Sequence, residues 1–194
     1  MSLKLHDYVL SAECYAVRLM LSLCRLKYER VAVDAYPGNA EAPVLFDSDT
    51  DTELHDAGII LTYLAREYDI QWMPQEHGQA VARWLAFAAT DLATLSAARR
   101  IATLGAPGDL AMAVKTGRAA LRVLEDALTD QSLSGHDWLV WEKPSIADIA
   151  VFPAVALSHD SGVGHEDYPA INLWQRRVRK LRGFVGMPGV PDYF

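Results

Sequence analysis

From Pro144 to Leu157 the chain reads Pro-Ser-Ile-Ala-Asp-Ile-Ala-Val-Phe-Pro-Ala-Val-Ala-Leu, and this run constrains the rest of the fold. Ser145 can cap a helix, and Asp148, three residues on, can reach back to the cap in a variant of the capping box. After Asp148 no charged residue appears until Asp160. A helix apolar on every face has to be buried on every face. It is too short to span a bilayer, which takes about 20 apolar residues. It therefore belongs at the centre of a soluble domain, wrapped by neighbours. Pro153 lies inside it and removes one i→i−4 hydrogen bond, so a kink is expected there. Loss of the cap in Ser145→Ala is expected to cost about 1 kcal/mol.

The wrapping elements show as periodic stretches. Leu3-Lys4-Leu5-His6 alternates like a half-buried strand, Asp7 to Glu13 reads as a loop, and Cys14 to Leu26 reads as a helix with a wide apolar face. Tyr28 to Val33 is a second, valine-rich alternation, and Tyr36-Pro37-Gly38-Asn39 is a turn cluster. Val44-Leu45-Phe46 is a short strand, Asp47 to Thr52 a hairpin turn, and Glu53-Leu54-His55 the return. Ala57 to Tyr68 is a helix with Ile60, Leu61 and Leu64 inward. The order β-α-β then β-β-α makes one small mixed sheet with a covering helix. Gln71-Trp72-Met73-Pro74 serves as a linker. Beyond it the pattern is helical, with Trp138 to Trp141 ambiguous between strand and loop. His77 to Leu104 reads as one long helix, Gly105-Ala106-Pro107-Gly108 stops it, and Asp109 to Leu128 is the next. A loop from Ser158 to Tyr168 leads to a last helix with Ile171, Trp174, Val178 and Leu181 inward. The expected class is α/β followed by all-α: residues 1–72 form the sheet domain and 76–194 a helical bundle.

Composition narrows the partners. Of 194 residues 51% are apolar, enough for a core, and the net charge of −7 argues against nucleic acid and against anionic membranes. The basic run Arg176-Arg177-Val178-Arg179-Lys180 reads as a solvated helix face. Met1-Ser2-Leu3-Lys4 leads straight into a strand pattern, without a signal-peptide pattern. Cys14 and Cys24 fall on one helix, about 15 Å apart at 1.5 Å per residue, whereas a disulfide needs Cα atoms within about 7 Å. A reduced, cytoplasmic protein is expected.

Ser11-Ala12-Glu13-Cys14 sits where the first strand turns into the first helix, and the unpaired N–H groups of a helix start favour an anion. Ser11 is in any case a good N-cap. Cys14 reads as buried packing, and one thiol cannot cycle a dithiol. His159-Asp160 and His165-Glu166-Asp167 lack structural zinc spacing and read as a polar loop, so no metal site is expected.

The run Ser145-Ile146-Ala147-Asp148-Ile149-Ala150, with Tyr168-Pro169-Ala170-Ile171, Trp174 and Gly183-Phe184-Val185 after it, resembles the last third of glutathione transferases. The resemblance implies a thioredoxin-like domain followed by a helical one. Ser11-x-x-Cys14 resembles the serine-first motif of theta- and zeta-class members, which implies that Ser11 is the catalytic residue and donates its hydroxyl to the glutathione thiolate. The energy balances. A free thiol has a pKa of about 8.5, and making it mostly thiolate at pH 7 takes about two units, near 3 kcal/mol. A charge-assisted hydrogen bond supplies about 1.5–3 kcal/mol and a helix N-terminus roughly 0.3–1 kcal/mol. Glu13 would oppose this if it points inward.

Ala42-Pro43 stands where the family has a cis-proline, so the resemblance implies that Ala42 offers its backbone to the cysteinyl part of glutathione and that Pro43 shapes the site. Leu54 to Leu61 resembles the family's Glu-Ser helix start, which gives Asp56 the ligand's ammonium and leaves Ala57 an N–H without the hydroxyl. Tyr8, Val9 and Leu10 are read as a wall of the acceptor pocket, with Asp7 at the position of the tyrosine of other classes. The segment Ala35 to Ala42 is shorter than the family's, which implies weak binding of the glycyl carboxylate. The implied activity is conjugation of glutathione to a small electrophile by a homodimer, with glutathione as co-substrate and no other cofactor. The alternatives are a non-catalytic binding or interaction protein with the same fold, and a glutathione-dependent disulfide reductase.

Overall fold

The computed structural model describes residues 2–33 and 43–187. The expected turn at Tyr36 to Asn39, the short segment Ala35 to Ala42 and the glutathione contact at Ala42 lie outside them. The first half contains β1 (Leu3–Asp7), α1 (Ala12–Leu23), β2 (Tyr28–Ala32), β3 (Val44–Asp47), β4 (Thr52–His55) and α2 (Ala57–Tyr68). The strands form one sheet in the order β2-β1-β3-β4. β1 runs parallel to β2, with Leu3 opposite Tyr28, and antiparallel to β3, with Leu3 opposite Asp47. β3 and β4 form the hairpin, with Val44 opposite His55. This is the mixed sheet of a thioredoxin-like domain.

In β1 the alternation buries Leu3, Leu5 and Asp7. Asp7 faces inward, and both of its side-chain oxygens are paired, one with Arg18 of α1 and one with Arg30 of β2. Asp47, buried at the end of β3, accepts hydrogen bonds from Tyr63 and Tyr68 of α2. These bonds fasten α2 to the sheet and so fix where α2 begins.

Helix α1 differs at both ends from the expected Cys14–Leu26. It starts at Ala12, because the Ser11 hydroxyl oxygen accepts from the Cys14 N–H at 3.1 Å. It stops at Leu23 because Arg25 adopts a left-handed φ of 55°. Arg25 N–H then donates to Ser22 O at 2.9 Å and Leu26 N–H to Leu21 O at 2.8 Å, the two bonds of a Schellman stop.

Two 3₁₀ turns, Ile70–Trp72 and Gln75–His77, lead into the helical half: α3 (Gly78–Ala89), α4 (Ala93–Leu104), α5 (Leu110–Leu133), α6 (Ile146–Ala156) and α7 (Pro169–Arg179). The single helix expected over His77 to Leu104 is two helices. Thr90 donates its hydroxyl to Ala86 O at 2.8 Å, and Leu92 N–H reaches Phe87 O, five residues back, at 3.1 Å. The backbone ladder slips by one residue at Leu92, after an intact Thr90 N–H to Ala86 O bond, and it breaks there without glycine or proline. Gly105, with φ 66°, ends α4, and Asp109 caps α5, which runs five residues past the expected Leu128. Trp138 to Trp141 is not a strand.

Helix α6 is the centre of the molecule. Only Ala150 of its residues is not fully buried. Its capping box forms: the Ser145 hydroxyl oxygen accepts from Ala147 N–H at 3.3 Å, and Asp148 accepts from Ser145 N–H at 2.9 Å. Asp148 also accepts from Trp174 Nε1 at 2.8 Å and Leu139 N–H at 3.1 Å, which ties α6 to α7 and to the loop after α5. Burial pushes its carboxyl above the usual range, against those three donors and a fourth contact from the Ser145 hydroxyl at 3.3 Å. Phe152 contacts Tyr15, Trp174 and Phe184 edge-on or tilted, at ring separations of 6.3, 6.0 and 5.7 Å. α6 packs against α1, α2, α3, α4 and α7.

Beyond α7 the chain returns to α1. Tyr15 donates to Val185 O and Ser22 to Gly183 O, each at 2.7 Å. Gly183 has φ 99°, and a Cβ there would lie 2.9 Å from Ser22 O, so glycine is required for this close approach. Among the described residues no helix is long and apolar enough to cross a membrane.

Candidate functional site

A cleft of about 470 Å³ opens between the sheet half and the helical half. This is the size of a small-molecule site. On the sheet side it is lined by the start of α1 (Ala12, Glu13, Ala16), by Pro43 just before β3, and by His55, Asp56, Ala57 and Gly58 at the start of α2. The opposite wall is Leu85, Ala88 and Ala89 of α3, Ala93 and Ser96 of α4, and Ala150, Pro153 and Ala154 of α6. Small side chains on three facing helices leave this volume open.

Two helix N-termini meet at the cleft, and both are capped. Asp56 holds φ 75°, uncommon for a residue with a side chain. Its Oδ1 accepts from Gly58 N–H at 2.8 Å and Ile59 N–H at 3.1 Å. Ala57, at the first position of α2, has an N–H that no helical carbonyl can reach. At α1, Ser11 accepts from Cys14 N–H and donates its own proton to Glu13 Oε2 at 2.7 Å. Glu13 is itself one of the residues that line the cleft. No lysine or arginine lines it among the described residues.

Of the residues expected to form a site, the cleft brings together Pro43, Asp56 and Ala57. Ser11 is not in its lining but is hydrogen-bonded to Glu13, which is. Tyr8, Val9 and Leu10 do not line it either. Their backbone is committed elsewhere: Tyr8 N–H donates to Cys14 Sγ at 3.4 Å, Val9 O accepts from Arg18 at 3.0 Å, and Leu10 O accepts from Arg99 Nη1 at 2.6 Å. Arg99, buried on α4, also donates to Asp160 at 2.7 Å. It thereby holds the helical half against the residues just before Ser11.

Cys14 is fully buried, and burial pushes its thiol above the ordinary value despite the contacts from Ser11 and Tyr8. It is packing, as expected from its position. Burial pushes the Cys24 thiol up to about 12. His165 is a half-buried node and not a solvated loop residue: Gln175 Nε2 lies 2.9 Å from its Nδ1 and Ser158 Oγ 2.7 Å from its Nε2. Among the described residues no group of three or more His, Cys, Asp or Glu side chains is placed to hold a metal ion.

The family model for the glutathione S-transferase C-terminal domain matches residues 79–177, which is half of the chain. The chain belongs to the glutathione S-transferase family. It is 28% identical over 173 residues to the glutathione S-transferase-like protein tpcF of Aspergillus fumigatus, covering 80% of this chain and 76% of that protein. Its fold superimposes on a glutathione S-transferase of Pseudomonas fluorescens with TM-score 0.83 and 30% identity, over 96% of this chain and 98% of that one. A glutathione S-transferase of Xanthobacter autotrophicus gives TM-score 0.83 and 25% identity over 96% and 97%. Ure2p in complex with glutathione shares the fold, with TM-score 0.80 at 18% identity over 97% of this chain and 96% of that one.

Most of the lining escaped the sequence reading, and Ser96 and Glu13 show why. Ser96 sits in a helix with no motif around it. The place of Glu13 on the lining was available only as a conditional, because the second position of a helix can face either way until the partner helices are placed.

Proposed function

We propose that this protein binds glutathione in the cleft and activates its thiol for conjugation to a small electrophile. The observation that carries the reading is the convergence of Pro43 and the starts of α1 and α2 on one cleft whose far wall is apolar. In this reading the γ-glutamyl end meets Asp56 and the Ala57 N–H, the cysteinyl part lies along Ala42 and Pro43, and Ser11 donates to the thiolate. Before it can do so Ser11 has to release Glu13, and the electrophile then enters from the alanine-rich wall. Glutathione is the co-substrate, no other cofactor takes part, and the working form is a cytoplasmic homodimer. Glutathione complexes of proteins with this fold support the choice of ligand.

Calorimetric titration with glutathione tests the reading, paired with transfer rates on a panel of electrophiles. The expected affinity is roughly millimolar, about −4 kcal/mol, because the short Ala35 to Ala42 segment leaves few groups for the glycyl carboxylate. An absence of binding heat refutes it. Binding without transfer above background supports a second reading, a glutathione-binding protein without catalysis. That reading has its own observation: Ser11 already gives its proton to Glu13.

A further inference from the structure

The far wall of the cleft has one polar side chain. Ser96 on α4 lines the cleft and is only 7% exposed. Helical hydroxyls usually bond the carbonyl one turn back. Thr62, Thr90 and Thr103 do so at 2.8 Å and Thr116 at 2.9 Å. Among the described residues the Ser96 hydroxyl has no hydrogen-bond partner. A hydroxyl that lines the cleft without a protein partner is left to pair with whatever occupies the cleft. Its position fits a role near the thiol. Arg99 lies one turn later on the same helical face, and its Nη1 is 2.6 Å from Leu10 O, next to Ser11.

We propose that Ser96 is the hydrogen-bond donor to the second substrate, and that this substrate is an uncharged α,β-unsaturated ketone or aldehyde. The proposal rests on the cleft being the glutathione site. The thiolate sulfur bonds to the β-carbon, the C=C electron pair shifts to form the enolate, and the Ser96 O–H donates to the enolate oxygen. A proton from water then adds at the α-carbon, while Ser96 keeps its own. One neutral donor suits this reaction: an epoxide would leave a localised alkoxide needing a full proton, and an alkyl halide needs no donor on this wall. The lack of lysine or arginine in the lining, with Glu13 and Asp56 present, disfavours an anionic acceptor.

The test compares wild type with Ser96→Ala on two electrophiles, trans-4-phenylbut-3-en-2-one and benzyl chloride, with saturating glutathione. The ratio of their kcat/KM values, enone over halide, is expected to fall about 10- to 100-fold, as for a lost oxyanion donor. An unchanged ratio, whether both rates fall or neither does, overturns the proposal. A second arm omits glutathione and measures binding of the saturated 4-phenylbutan-2-one and of n-butylbenzene. Ser96→Ala is expected to weaken the ketone relative to the hydrocarbon by roughly threefold to tenfold. No ketone binding to wild type, or the same affinity ratio in both proteins, overturns the proposal. A wild type inactive on both electrophiles and silent to glutathione refutes the transferase reading instead, and the ketone arm then decides Ser96 alone.

Discussion

His165 makes the stability of this protein depend on pH in a window that can be worked out. Gln175 donates its amide N–H to Nδ1, so that nitrogen is an acceptor. Ser158 gives its hydroxyl proton to Val163 O at 2.9 Å and can then accept from Nε2–H. The ring is therefore satisfied only as the neutral Nε2–H tautomer. A second proton on Nδ1 would face a donor. Burial, and next the neighbouring His159, hold the imidazole down to about 4 from an ordinary value near 6.5. The folded pKa is depressed, so the stabilisation is fully present above the unfolded value and is lost as pH falls from about 6.5 to about 4. At about 1.4 kcal/mol per unit the loss is about 3 kcal/mol. In a chain of this size that lowers Tm by roughly 6–12 °C. Urea denaturation every half unit between pH 7 and pH 4, on wild type and His165→Gln, is the assay. The glutamine variant starts less stable and loses less on acidification, and the difference between the curves isolates His165 from the other titrating groups. Parallel curves, or an NMR titration of His165 with its midpoint near 6.5, would refute the reasoning.

Four further outcomes are expected. Ser11→Ala should slow transfer at neutral pH by roughly 10- to 150-fold, the worth of one charge-assisted hydrogen bond, with little change in glutathione affinity. Glu13→Ala should act in the opposite sense, raising the rate by up to about tenfold, because it frees the Ser11 proton and removes a like charge; rates against pH check both. Asp148→Ala should destabilise the fold by about 3–5 kcal/mol in denaturant titration, since it leaves buried donors from Ser145, Leu139 and Trp174 unpaired, whereas Asp148→Asn should cost less. Cys14 should resist a thiol reagent at pH 7 in the folded protein and react on unfolding, and Cys14→Ala should leave the transfer rate nearly intact.

What could be read from the chain follows how local each signal is. The helix from Ser145 was legible because its cap and its all-apolar run are contiguous, and Ala57 to Tyr68 because Asp56 stands at its start. The small mixed sheet followed from the order of the strand patterns and the right-handed crossover. The stop of α1 was hidden because the left-handed residue is Arg25, where a glycine would have announced it. The break at Thr90 to Leu92 was hidden because Leu92 continues the apolar stripe of α3. Within the site, Asp56, Ala57 and Pro43 came from the resemblance and meet at one cleft. Tyr8, Val9 and Leu10 do not line that cleft, and their carbonyls accept from Ser11 N–H, Arg18 and Arg99. Ser96 was invisible because what distinguishes it is a missing bond to its own helix.

The return of residues 183–187 to α1 has a consequence for how the protein is made. Tyr15 and its partner Val185 are 170 residues apart. At roughly 5–20 residues per second a ribosome takes about 10–30 s to cover that distance. For that time Val185 O is not there to accept from the Tyr15 hydroxyl, and for most of it Phe152 is absent from beside the Tyr15 ring. The sheet half emerges first yet is completed last, so it waits for α6 and the closing segment, and a nascent chain halted before residue 183 presents the Tyr15 side of α1 to whatever holds unfinished chains.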